Sequence, residues 1–370
     1  MDREIIDKQK KAMVAEGLDA LISISPENVT YTTGIVVPSQ SLMRWRHAIC
    51  IVTPDGRVVM VVIDMEETTV RAMGDIHGLK VYREFVEDPM DKLCEALADL
   101  KLERGRIGIE MEYLPARDLM TLERRLPSLQ LVAADGLFHA LRQVKTAGEL
   151  QLLRSLSKMT DRAIGGALKN ARAGMTEMDL AGLLLSGIFA AGAENFKLMI
   201  IASGERSQYP NVGPTQRALK NGDLIRMEIF GVKNAYHAGV CRTAVVGNPT
   251  PEQKQIWANL IECKHLVMDS IKPGARSRQI YETFLKKFCA LGFEPISFVG
   301  HGIGLFLHEE PYLGRYGDRT LEEGMVLGIE PLVYIPGRMG LQNKDMVAVT
   351  EKGCELLSDV TVTDELIRID

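Results

Sequence analysis

The pattern of the chain changes once, at residues 140–146, and that change limits its fold more than any single motif does. Ahead of it, short β-rich runs alternate with helical periodicity, as an α/β domain requires. Behind it come two long amphipathic helical patterns, 147–171 and 176–192, followed by strands and hairpins, as in an α+β domain. With 370 residues to place, the chain reads as two domains, 1–142 and 143–370.

In the first half, Ile5, Ile6, Met13 and Val14 recur at helical spacing and predict a helix over 1–17, stopped by Gly17. Ala20–Ile24 reads as a strand and Asn28–Gly34 as a short helix. Ala48–Val52 and Val58–Val62 flank Thr53-Pro54-Asp55-Gly56, a hairpin turn signal. Strands are also expected at 80–82, 106–109 and 129–133, and helices at 88–101 and 114–125. In the second half the expected strands are 196–202, 224–232, 236–246, 326–334 and 345–350, with helices at 251–271 and 277–291. No internal repeat is legible.

Composition narrows the partners. The net charge is -5 without a basic patch, so nucleic acid and anionic membrane surfaces are not expected as partners. The amino terminus lacks the apolar core of a signal peptide, and the longest apolar stretch, Leu180–Ala191, is too short to span a bilayer. It reads as a buried helix. Six cysteines (Cys50, Cys94, Cys241, Cys263, Cys289, Cys354) show no CxxC or ligand-like spacing, which fits a reducing cytoplasm. No GxGxxG or P-loop pattern is present, so no nucleotide cofactor is expected.

The chemistry-bearing stretch is Phe298-Val-Gly-His301-Gly-Ile-Gly-Leu-Phe-Leu-His308-Glu309-Glu310-Pro311. Its glycines let the backbone turn and approach a ligand closely, and two imidazoles stand within eight residues. Four further places read with it. Gly222-Asp223 through Glu228 to Gly231 enters a strand, and Ala235 through Gly239 to Arg242-Thr243 returns as its hairpin partner. Gly324 to Glu330-Pro331 and Gly340 through Lys344-Asp345 to Gly353 complete the set.

On these anchors the chain resembles the pita-bread-fold superfamily of creatinase, prolidase and aminopeptidase P, nearly end to end. Ser203-Gly204 through Pro214, Lys145 to Glu149 and Gly300 to Pro311 fall at family spacings as well. The resemblance implies a small creatinase/prolidase-type amino-terminal α/β domain, then a pita-bread catalytic domain, in a cytoplasmic homodimeric hydrolase acting on a small molecule. It also implies that loops of the first domain, such as Arg44-Trp45-Arg46-His47, reach toward a neighbouring subunit's site. Arg46 is therefore counted among the substrate-binding residues.

The ligand set departs from the family's two aspartates, one histidine and two glutamates. By resemblance, Glu228 stands at the first aspartate, His301 at the histidine and Glu330 at the first glutamate. The second aspartate falls on Gly239 and the last glutamate on Lys344. A catalytic-assist histidine falls on Asn211. An ammonium has three donors and no lone pair, so it repels a metal ion where a carboxylate would bind one.

The expectation is therefore a site without metal or other cofactor, with Lys344 supplying positive charge. His301, His308, Glu228 and Glu330 are expected to be catalytic. Lys344, Asn211, Tyr209, Arg242 and Arg46 are expected to bind substrate. The residual negative charge suggests a cationic or amide-like nitrogen compound whose C–N bond is hydrolysed, as in creatinase. The proton shuttle is left open between His301, His308 and a glutamate. Two alternatives stand beside this: an Xaa-Pro dipeptidase or aminopeptidase with a mononuclear metal site, and a non-catalytic ligand- or protein-binding module.

Overall fold

The computed structural model describes residues 2–370; Met1, the first residue of the predicted amino-terminal helix, lies outside them. The chain divides into two compact units, 1–142 and 143–370.

In the first unit the helix runs Arg3–Glu16 and ends where Gly17 adopts φ 61°, a left-handed cap that favours glycine. Six strands follow: β1 (Ala20–Ser23), β2 (Ile49–Val52), β3 (Val58–Ile63), β4 (Gly78–Tyr82), β5 (Arg106–Ile109) and β6 (Gln130–Ala133). They form one sheet in the order β4-β3-β2-β1-β5-β6. The β2–β3 hairpin is antiparallel, whereas β1–β5 and β5–β6 are parallel. Alternate residues such as Ile22, Ile51, Val61 and Ile107 pack with Leu93, Leu97 and Leu122 from helices Pro89–Asp99 and Ala116–Arg125. Sequence patterning missed three helices, Pro38–Leu42, Glu67–Met73 and Asp135–Gln143.

The second unit begins with helices Ala147–Asn170 and Glu177–Ala190, each opened by a threonine capping box at Thr146 and Thr176. Strands β7 (Asn195–Ser203), β8 (Leu224–Lys233) and β9 (Tyr236–Val246) follow. They make a sheet in the order β17-β9-β8-β7 once β17 (Ile367–Ile369) adds to its edge. A second pair of helices, Pro251–Ser270 and Ser277–Ala290, precedes β10 (Phe298–Gly302), β11 (Glu309–Gly314) and β12 (Val326–Ile329). The hairpin β13 (Leu332–Ile335)–β14 (Met339–Gln342), then β15 (Asp345–Thr350) and β16 (Gly353–Leu356), lead into β17. The second sheet runs β11-β10-β12-β15-β16. Its core gathers Trp257, Phe284 and Phe288 against Val299, Leu327 and Val347.

The structure contains the repeat that the sequence hides. Both helix pairs turn at a glycine with positive φ, Gly174 (87°) and Gly274 (85°). Each of these glycines donates its N–H to a leucine carbonyl further along the chain, Leu219 at 2.9 Å and Leu321 at 2.8 Å. The repeat is carried by helix–glycine–helix geometry on different side chains, which is why it is illegible as residue identity.

One expectation about the backbone is corrected. Gly300 and Gly302 do not make a turn; they lie inside β10, between β11 and β12. A Cβ at Gly300 would stand 2.8 Å from the Gly328 carbonyl oxygen, and one at Gly302 would stand 2.2 Å from that of Glu310. These glycines permit close strand approach around His301.

Candidate functional site

The site is assembled from four strands. Along β8, side chains two residues apart share a face, so Arg226, Glu228 and Phe230 point the same way. Across the ladder, Glu228 pairs with Cys241 and Phe230 with Gly239 of β9. Cys241 in turn exchanges backbone hydrogen bonds with Lys344, at 3.2 and 3.1 Å. On the second sheet, His301 pairs with Gly328, and Glu330 follows β12 with its N–H donated to the Val299 carbonyl at 2.8 Å.

This framework brings Glu228, Glu330, His301 and Lys344 together, each at most 5% exposed. Lys344 Nζ donates to Glu228 Oε1 at 3.3 Å and to Glu330 Oε2 at 3.0 Å. It also stands 4.5 Å from the centroid of the Phe230 ring, a cation–π contact. Gly328 makes room for it, since a Cβ there would lie 3.2 Å from Lys344 Cε and 3.4 Å from two His301 ring atoms.

Sequence reasoning missed Gln342, Arg226 and Phe230. Gln342 Nε2 donates to Glu228 Oε2 at 3.1 Å and to Glu330 Oε2 at 3.3 Å. Its orientation is fixed because Arg226 Nη1 donates to Gln342 Oε1 at 2.8 Å. The period of two was the available signal: Arg226 and Phe230 flank Glu228 by two residues, and Gln342 precedes Lys344 by two.

Both oxygens of Glu228 are thus engaged by donors of the chain itself. Glu330 Oε1 is different: it lies 3.3 Å from His301 Nε2, and both atoms are buried without a hydrogen-bond partner. His301 Nδ1 lies 2.8 Å from the Gly302 carbonyl oxygen and so carries a proton to donate. In the neutral ring Nε2 is then an acceptor, and the pair presents two acceptors to the same point.

His308 stacks on His301 with centroids 3.6 Å apart and planes 10° apart. Burial, then the neighbouring His301 and Lys344, push its pKa down to about 3, so its ring is neutral at ordinary pH. Burial raises the Glu330 carboxyl, but the adjacent Lys344 ammonium, the largest opposing influence, holds it below the usual range. The Lys344 ammonium is lowered by burial and raised more by Glu330 and Glu228. The group is therefore an ammonium between two carboxylates.

The other expected ligand-binding residues are placed otherwise. Arg242 is a correction: its guanidinium is fully buried on Asp161 at 3.0 Å and Asp345 at 2.9 Å, and it also donates to the Cys241, Lys344 and Ser358 carbonyls. It braces β9 and has no donor left for a substrate. Arg46 lies in the first unit, where it forks onto Glu84 at 2.8 and 2.9 Å. Tyr209 and Asn211 have exposed side chains. Their loop is tied down through its backbone, Arg226 donating to the carbonyls of Tyr209 and, at 2.7 Å, of Pro210.

Residues 151–351 match metallopeptidase family M24, and residues 5–144 match the creatinase/prolidase N-terminal domain. An Xaa-Pro dipeptidase of Pyrococcus horikoshii is 28% identical over 73% of this chain and 76% of its own length. One from Pyrococcus furiosus is 31% identical over 60% of this chain and 65% of its own length, so the match spans just under two thirds of that relative. A solved prolidase of Pyrococcus horikoshii superposes with a TM-score of 0.84 at 26% identity, covering 97% of this chain and 99% of that one. An X-Pro aminopeptidase of Thermotoga maritima, 23% identical, shares the fold over the full length of both chains with a TM-score of 0.88.

The divalent ion pair of such a metallopeptidase does not fit these residues. Position 239 offers no ligand atom, and a side chain there would begin 2.3 Å from a carbon of the Phe230 ring. The Lys344 ammonium already lies against both carboxylates. Hard divalent ions need several oxygen donors, and here one ligand position is a glycine and another a cation.

Proposed function

Because the chain belongs to metallopeptidase family M24 and carries an ammonium in the ligand set, we propose that it hydrolyses the C–N bond of a small amide-like nitrogen compound without a metal pair. The first substrate class to test is the Xaa-Pro dipeptide, which the named relatives supply. A dipeptide brings its own ammonium, so this class also meets the expectation of a cationic compound. Guanidino compounds of the creatinase type are the second class.

The observation that carries the reading is the Lys344 bridge. It balances one of two buried carboxylate charges and leaves Glu330 Oε1 and His301 Nε2 as unpartnered acceptors 3.3 Å apart. Such a pair can take the protons of one water molecule, or hold an N–H of the substrate. In the water-activating case, a proton leaves the water for His301 Nε2 as its oxygen bonds to the carbonyl carbon. The same proton passes to the leaving nitrogen as the C–N bond breaks, giving a carboxylic acid and an amine. Lys344 and Gln342 keep Glu330 aimed at this point throughout. Glu228 holds Lys344 in place and has no free oxygen for the substrate.

A second reading rests on one observation: single ligand atoms of His301, His308 and Glu330 lie within 4.8 Å of one another, the spacing a mononuclear metal site needs. The experiment is hydrolysis of a panel of Xaa-Pro dipeptides and guanidino compounds by protein stripped with chelator, then with manganese, cobalt or zinc restored. Release of proline or another amine by the stripped protein, abolished in Glu330→Gln and His301→Asn, is expected. Turnover only after stoichiometric metal loading would favour the mononuclear reading, and no turnover under any condition would favour a binding module. A cytoplasmic homodimer belongs to the same proposal, on the strength of the family resemblance, and is tested by fractionation and light scattering.

A further inference from the structure

Phe230, Gly239 and Lys344 are one device. Phe230 and Gly239 face each other across the β8–β9 ladder. The ring fills the volume next to Gly239, where an added Cβ would meet three of its carbons at 2.3, 2.7 and 2.8 Å. The same ring stands 4.5 Å from Lys344 Nζ, while Glu228 and Glu330 accept from that nitrogen. Two carboxylates and an aromatic face are what an organic ammonium seeks when it is taken out of water. A divalent ion would gain nothing from the ring and would lack a ligand at 239.

We propose that the pocket formed by Glu228, Glu330 and the face of Phe230 is a receptacle selective for a monovalent alkylammonium, which the Lys344 side chain occupies from within the chain. Phe230 is its specificity-determining residue: it contributes the cation–π face and bars a third carboxylate from position 239. Replacing Lys344 alone therefore does not recover a divalent site. The inference shares with the proposed function the premise that Lys344 balances the carboxylates, but its test needs no turnover. A chain that hydrolyses nothing can still bind as described here.

Lys344→Ala removes three methylenes and the ammonium, the outline of n-propylammonium. Calorimetric titration of that variant with n-propylammonium chloride at constant ionic strength is expected to show saturable one-to-one binding, absent from the unaltered chain. Adding Phe230→Leu is expected to weaken it about 2- to 30-fold, the range of an exposed to a desolvated cation–π contact. Manganese chloride is expected not to bind the Lys344→Ala variant stoichiometrically. Failure of n-propylammonium to bind the folded variant, indifference to Phe230→Leu, or tight manganese binding overturns the proposal. Should Lys344→Ala not fold, NMR of carbon-13-labelled lysine in the unaltered chain decides. One pair of lysine Hε resonances is expected far upfield from the Phe230 ring current and absent in Phe230→Leu; no such pair overturns the proposal.

Discussion

Replacing Lys344 by methionine keeps the length of the stem and removes the charge. At 3.0 and 3.3 Å, each carboxylate contact has a gross attraction of about 5 kcal/mol at an effective dielectric of ~20. Much of that is offset by the cost of taking the ammonium out of water. Removing one partner of a buried pair typically costs about 3–5 kcal/mol, because the remaining charge is stranded, and that is the loss expected at pH 8. The dependence on pH has a definite sign. In the unaltered chain the Glu330 carboxyl is held low, so its contribution is present above the unfolded value of about 4.3 and fades as pH falls below it. In Lys344→Met, burial is no longer outweighed and the carboxyl is raised. The stranded charge is then relieved by protonation as pH falls through that raised value. The deficit is therefore expected to shrink by about 1–2 kcal/mol between pH 8 and pH 5, each unit of pKa being worth about 1.4 kcal/mol. Urea unfolding followed by Trp257, buried in the second unit, in a Trp45→Phe background isolates the relevant transition. A loss under about 1 kcal/mol, or a deficit that grows on acidification, would refute the buried ion-pair account.

Gly239→Ala is expected to cost about 1–3 kcal/mol by overpacking, since the new methyl begins 2.3 Å from the Phe230 ring; a neutral result in thermal unfolding would show that the ring moves freely. Arg242→Lys is expected to lose about 2–4 kcal/mol, because one ammonium cannot serve Asp161, Asp345 and three carbonyls at once. Chemical denaturation reads it, and an unchanged midpoint would contradict the bracing role. His308, with its pKa near 3 in the fold, refuses a proton that the unfolded chain accepts below about 6.5. Stability should therefore fall from about pH 6.5 downward, and His308→Leu should flatten that slope in pH-dependent melting. Gln342→Leu removes the acceptor of Arg226 and a donor to both glutamates. It is expected to cost about 1–3 kcal/mol and, on the proposed function, to lower kcat more than it raises KM.

Much of the fold is written locally. The helix ending at Gly17, the Thr53–Gly56 hairpin, the strand at 106–109 and the threonine-capped helices follow from periodicity, caps and turn residues that act over a few positions. Of the site, the sequence by itself determined the residue types in the altered ligand set: Glu228, Gly239, His301, Glu330 and Lys344 are legible as departures from a family pattern. It could not determine what those side chains do to one another. Lys344 and Glu228 are separated by 116 residues, and whether an ammonium reaches a carboxylate across that gap depends on strand register, which no local pattern specifies. Tertiary structure alone decided that Glu228 is saturated by Lys344 and Gln342 and that Arg242 turns to Asp161 and Asp345. It also placed Phe230 in the space a ligand at 239 would need. The physical reason is one of range: propensities and turns act along the chain, whereas burial makes charges choose partners across it.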